Sequence, residues 1–165
     1  MRVPIRKGGE FTNIIPDPNL TRKKFNEFSV KLKSLKLEQP KAILEVKRLA
    51  ELGYFSENAA YQMAKGHLRS LNEKIFKLEE HLKAAVIIKP TGDRGVVQLG
   101  SRVTVELNDR QKTYLLLGSS EIDLKKNIIS HNSPIGSVLM GKKAGENFQL
   151  ELGDKKAQGL IVKVE

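Results

Sequence analysis

From Phe25 onward, apolar or neutral residues recur at alternating steps of three and four: Phe25, Phe28, Leu32, Leu35, Gln39, Ala42, Val46 and Leu49. This is the a/d seam of a helix that packs along its length against a partner. Thr21 offers an N-cap ahead of it. Pro40 falls inside the seam, and because proline lacks an amide hydrogen and clashes with the preceding turn, a kink or restart is expected between Glu38 and Pro40. The same spacing resumes at Tyr61 and runs through Ala64, Leu68, Leu71, Ile75, Leu78, Leu82 and Ala85. The connection between the rows, LGYFSENAAY from Leu52 to Tyr61, is short enough to make the helices antiparallel neighbours. A hairpin of this length projects about 40 Å at 1.5 Å per residue.

The pattern changes on either side of the hairpin. Residues 1–20 hold Pro4, Pro16, Pro18 and the pair Gly8-Gly9 without a sustained period, which predicts an extended arm. Residues 86–95 contain a short β-branched run followed by Pro90, Gly92 and Gly95, the composition of a linker. Beyond it SRVTVEL alternates, NDRQ turns and KTYLLLG returns, predicting a β-hairpin. NIIS, NFQLEL and AQGLIVKVE read as further strands. SPIGSVLMG reads as a short helix, with Ser133 as N-cap, Pro134 at the first helical position and Gly141 as the stop. The expectation is an α+β chain: arm 1–20, antiparallel coiled coil 21–85, linker 86–95 and a strand-rich module 96–165.

Composition narrows the chemistry. The 165 residues include no cysteine, which removes disulfides and thiolate metal sites and fits a reducing compartment. No apolar run approaches the length of a membrane span, and MRVPIRKGGE has no apolar stretch behind its charges, so a cytoplasmic protein with no membrane partner is expected. The net charge of +10 is concentrated in the first part, where residues 1–89 carry 18 Lys/Arg against 10 Asp/Glu. Such a segment suits a phosphate-rich partner, nucleic acid or a complex containing it, and equally a helix surface kept solvated by lysine.

Few motifs suggest catalysis. GSVLMGKK, Gly136 to Lys143, fits G-x-x-x-x-G-K but ends in lysine where a phosphate-binding loop needs Ser or Thr, and it reads as a helix with its stop rather than a strand-to-helix turn. His67, His81 and His131 have no partner at i+4 and no carboxylates in metal-binding order, so all three are expected to face solvent. No nucleophile, base and orienter can be assembled, and no enzyme activity or cofactor of the chain's own is expected.

The tip of the hairpin is more informative. Ser56 is a candidate N-cap for the second helix, and Glu57 would then occupy its first position, where the helix dipole favours an anion. A carboxylate at the end of a long probe is also what is needed to lend an oxygen ligand to a magnesium ion held mainly by another macromolecule.

GYFSENAAY resembles the tip signature G-D-L-S-E-N-A-E-Y of the bacterial transcript-cleavage factors GreA and GreB, and SPIGSVLMGKKAGE resembles their C-terminal S-P-I-G-x-A-L-L-G-K-K-x-G-D. The similarity runs from about Asn19 to Glu165. The resemblance implies an N-terminal coiled coil and a C-terminal FKBP-like domain. It also implies docking on RNA polymerase, entry of the hairpin into the secondary channel, and action at the polymerase's catalytic magnesium on backtracked transcripts, with nascent RNA and DNA nearby and the factor monomeric. Glu57 matches one of the family's two tip acids, framed by Gly53, Phe55, Ser56 and Asn58. Tyr54 replaces the other, and Ala60 replaces a further acid. A phenol has a reference pKa near 10, so Tyr54 is no anionic ligand at neutral pH. Asn132, Ser133 and Pro134 match the polymerase-contacting segment, and Lys47, Arg48, Lys65 and Arg69 are candidates to face RNA or DNA phosphates. Three readings follow: a cleavage-stimulating elongation factor, a channel-occupying regulator with weak or no cleavage stimulation, and a prolyl isomerase or chaperone suggested by the C-terminal fold alone.

Overall fold

The computed structural model describes residues 16–53, 58–89, 95–107, 110–152 and 155–165. Two long helices come first. Helix α1 (Arg22–Glu51, 30 residues) is capped by Thr21, whose hydroxyl accepts the Lys24 amide, and it runs unbroken through Pro40 rather than restarting there. Helix α2 (Ala59–Lys83, 25 residues) returns beside it. Ala42, Leu71 and Ile75 form the buried centre of the seam, with Leu32, Leu35 and Leu68 packed against it. Polar pairs cross the seam in this register: Lys36 with Glu79 at 2.5 Å, and Gln39 Nε2 donating to Asn72 Oδ1 at 2.8 Å. Gln39 occupies an a position, where a polar residue specifies register more than it stabilises. No helix among the described residues is long and apolar enough to cross a membrane.

The root of the hairpin is tied by a short strap. Strand β1 (Asn19–Leu20), at the end of the stretch expected as an extended arm, pairs in parallel with β2 (Val86–Ile87), at the start of the stretch expected as linker. The amides of Val86 and Ile88 donate to Pro18 and Leu20 carbonyls at 2.8 Å each, and Leu20 is fully buried.

The C-terminal module is one five-stranded sheet: β3 (Arg102–Leu107), β4 (Arg110–Leu117), β5 (Ile128–Ser130), β6 (Asn147–Leu152) and β7 (Lys155–Val164), in the order β5-β4-β3-β7-β6. Only β4–β5 is parallel. Alternation along β3 buries Val103 and Val105, which join Leu116, Ile129, Phe148, Leu150 and Ile161 beneath Leu139 of α3 (Pro134–Leu139). This is the α+β architecture that the patterning predicts.

Candidate functional site

Three places concern the expected activity: the hairpin tip, the turn into α3, and the root that joins them. At the tip, α1 gives way to Gly53, whose φ of 75° lies in the left-handed region that glycine adopts without penalty. Asn58 caps α2, its side-chain oxygen accepting the Tyr61 amide at 3.2 Å. The N-cap expected at Ser56 is therefore two residues further on. Glu57 precedes the cap, and the first turn of α2 holds no acid, with Ala60 exposed there. Asparagine caps as well as serine, so SEN offers two candidate caps and local sequence does not choose between them. Tyr54, Phe55, Ser56 and Glu57 lie outside the described residues.

Near this end of the hairpin Lys47, Arg48, Lys65 and Arg69 are all exposed. Arg48 forms a two-pronged pair with Glu45, at 3.0 and 2.7 Å, which holds that carboxyl below its ordinary range and raises the guanidinium. Lys65 Nζ sits 5.9 Å from the centre of the Tyr61 ring. Arg48 thus reaches a phosphate only by giving up Glu45, whereas Lys47 and Arg69 have no acidic partner among the described residues.

The turn into α3 is built around Ser130. Its carbonyl accepts the Ser133 hydroxyl at 2.6 Å, its hydroxyl accepts the Asn132 amide at 3.0 Å, and Ser133 Oγ accepts the Gly136 amide at 3.1 Å. A Cβ on Gly136 would lie 2.0 Å from the Ser130 carbonyl oxygen, so the approach requires glycine. Asn132 and Pro134 are exposed, while Ser133 is committed to the cap. Of the three residues expected to touch a partner, two present a surface and the third shapes it. The GSVLMGKK stretch forms α3 and its stop, as expected.

The root carries residues that the sequence pattern did not single out. Asp17 Oδ2 accepts the Ser119 amide at 2.6 Å, and Oδ1 accepts the Asn19 amide at 3.0 Å and its side-chain nitrogen at 2.8 Å. Burial alone would raise this carboxyl, but the Ser119 and Asn19 donors outweigh it and hold it below its ordinary value. His81, expected in solvent, is 7% exposed; its Nε2 lies 2.9 Å from the Asp17 carbonyl oxygen and its ring packs on Phe28. His131 is also drawn inward, with Nδ1 3.5 Å from Asp17 Oδ2. Of the three histidines only His67 matches the expectation, exposed beside Glu38. Glu121, in a short 3-10 turn after β4, grips the start of α1: its two oxygens accept the amide and the hydroxyl of Thr21 at 2.6 Å each. A carboxylate there also meets the positive end of the helix dipole. Finally, a Cβ on Gly118 would lie 1.9 Å from the Asn19 carbonyl oxygen. The sole local signal for all this was an aspartate between two prolines.

Among the described residues no group of three or more His, Asp or Glu side chains is placed to hold a metal ion. A depression of about 530 Å³ beside α3 is lined mostly by Lys142, Asn147, Gln149 and Gln158, with Val138 and Phe148 below.

The family model "Transcription elongation factor, N-terminal" matches residues 19–87, and "Transcription elongation factor, GreA/GreB, C-term" matches residues 91–165. The chain is 34% identical over 136 residues to transcription elongation factor GreA of Macrococcus caseolyticus, covering 81% of this chain and 86% of the relative. It is 35% identical over 133 residues to GreA of Thermomicrobium roseum, covering 79% and 85%. Among solved structures it is similar to GreA factor homolog 1 of Thermus thermophilus, with 23% identity, coverage of 88% and 97%, and a TM-score of 0.41. A GreA/GreB factor from Nitrosomonas europaea gives 22% identity, coverage of 73% and 93%, and a TM-score of 0.40. With both family models lying in order along its two modules, this chain belongs to the GreA/GreB family of transcription elongation factors.

Proposed function

We propose that the chain acts on RNA polymerase through the secondary channel, docking by the Asn132–Pro134 surface and presenting the hairpin tip to the polymerase's catalytic centre as a weak stimulator of transcript cleavage. The observation that carries this reading is the tip sequence itself: the family match extends over both modules, yet Tyr54 and Ala60 stand where acids are expected and Glu57 is the carboxylate left. The magnesium in this reading is the polymerase's, and it supplies the activated water and charge stabilisation for hydrolysis. Glu57 contributes one anionic oxygen to that centre, and Tyr54, protonated near neutral pH, contributes neither charge nor a good base. Nascent RNA and DNA pass near Lys47, Lys65 and Arg69, and the factor works as a cytoplasmic monomer.

The isomerase reading finds less support. Phe148, the one aromatic at the depression beside α3, is 2% exposed, and the surrounding lysine and amides make a poor bed for a proline ring.

Cleavage on a stalled, backtracked elongation complex tests the proposal, with polymerase affinity measured in parallel. The natural chain should stimulate weakly, Tyr54→Asp should raise the rate at unchanged affinity, and Glu57→Ala should abolish what remains. Strong cleavage by the natural chain with no gain from Tyr54→Asp would overturn it.

A further inference from the structure

Helix α1 carries a second apolar row that the seam with α2 leaves unused. Leu37 lies two residues past Leu35 and five past Leu32, which at about 100° per residue sets it on the side away from the seam. It is 73% exposed. Leu44, one heptad on, is 64% exposed and Ile43 beside it 48%. Pro40, also exposed, bridges Leu37 and Leu44 at helical spacing, and Val30 extends the row one heptad toward the root at 67% exposure. The row is about 20 Å long at 1.5 Å per residue. On an outer helix face lysine and glutamate are the ordinary choices, and these large aliphatic side chains stay largely uncovered among the described residues.

The rim of the row is positive. Lys33 and Lys41 are exposed, and neither has an acidic partner among the described residues. The nearby acids are engaged, Glu38 with His67 and Glu45 with Arg48. Aliphatic residues flanked by cations fit an apolar stripe flanked by anions, and about four turns of helix is the length such a stripe would have. A second copy of this chain would set lysine against lysine in a molecule of net charge +10. The row has no aromatic residue on which a nucleic-acid base would stack or which would anchor the face at a lipid interface.

We propose that this face is a docking strip for an amphipathic helix with acidic residues beside its apolar stripe, and, resting on the polymerase reading above, that this helix belongs to RNA polymerase. The shaft of the hairpin then makes its own contact, separate from the tip and from the Asn132–Pro134 surface.

Titration of labelled full-length chain with core RNA polymerase tests this, followed by fluorescence anisotropy at two salt concentrations. Leu37→Ser with Leu44→Ser should weaken binding at least tenfold while far-ultraviolet circular dichroism shows unchanged helicity. Lys33→Glu with Lys41→Glu should weaken it and flatten its salt dependence. Phe76→Ser, which removes an exposed apolar residue of α2, should leave affinity unchanged. Natural chain that binds, with both double variants binding equally well, would overturn the strip alone. Failure of the natural chain to bind would overturn the polymerase reading and the strip's partner with it. Two further results would assign the face elsewhere and overturn the proposal: a dimer in sedimentation that Leu37→Ser/Leu44→Ser dissolves, or binding to phosphatidylglycerol vesicles lost in that variant.

Discussion

The substitution Asp17→Asn keeps the shape of the side chain and removes half of what it does. The carboxylate accepts on both oxygens, from Ser119 on one side and from both nitrogens of Asn19 on the other. A carboxamide has one oxygen. Turned toward Asn19, it sets its NH2 against the Ser119 amide, donor against donor where 2.6 Å now separates donor from acceptor. One charge-assisted hydrogen bond is lost, worth about 1.5–3 kcal/mol, and no cavity opens. Taking about 2 kcal/mol, and 1.4 kcal/mol per factor of ten, the strap at the root should open about 30-fold more often. Native-state hydrogen exchange reads this directly. The amides of Val86 and Ile88, which donate to Pro18 and Leu20, and that of Ser119 should lose about 30-fold in protection, while those between β3 and β4 keep theirs. A change below about threefold at those three amides would refute the reasoning. An equal loss across the whole sheet would refute it as well, since the carboxylate would then be holding the module and not the strap.

The same carboxylate makes the root acid-sensitive. Its folded pKa lies below its ordinary value, so its stabilisation is complete above the ordinary carboxylate range, near pH 4, and is lost as pH falls through the lower folded value; the thermal midpoints of the natural chain and Asp17→Asn should converge as pH is taken down from about 4. Leu71→Ala, at a seam position 2% exposed, should destabilise the hairpin by about 2–5 kcal/mol, read as a lower thermal midpoint in helical circular dichroism. Gly136→Ala must push its Cβ away from the Ser130 carbonyl, costing about 1–3 kcal/mol and reshaping the Asn132–Pro134 surface, so polymerase affinity should fall although no exposed side chain of that surface has changed.

What the sequence made legible was periodic. Two seams with three-four spacing specified the hairpin, and the alternation of Val103 and Val105 specified a strand with one buried face. The cap of α2 was misplaced because Ser56 and Asn58 are equally apt by local sequence, and only the fold shows that Asn58 takes the role. Beyond the Thr21 cap, the root was not legible. Asp17 meets Ser119 across 102 positions and Glu121 meets Thr21 across 100, so neither contact leaves a period or a neighbouring motif. His81 looked like a solvated residue near the end of a helix because its partner, the Asp17 carbonyl, lies 64 positions earlier in a segment without pattern. Two-residue strands such as β1 and β2 are likewise too short for alternation to declare them.

The grip of Glu121 on the first residues of α1, together with the pairing of β1 with β2, makes the hairpin a cantilever built in at its support instead of hinged on a pin. Lever arithmetic then applies. A helix of 30 residues is about 45 Å long, so a rotation of about 5° at the support sweeps the far end through about 4 Å, more than the length of a hydrogen bond. The position of the far end is therefore decided at Thr21 and Glu121, and a change there too small to alter the fold is large enough to carry that end several ångström sideways.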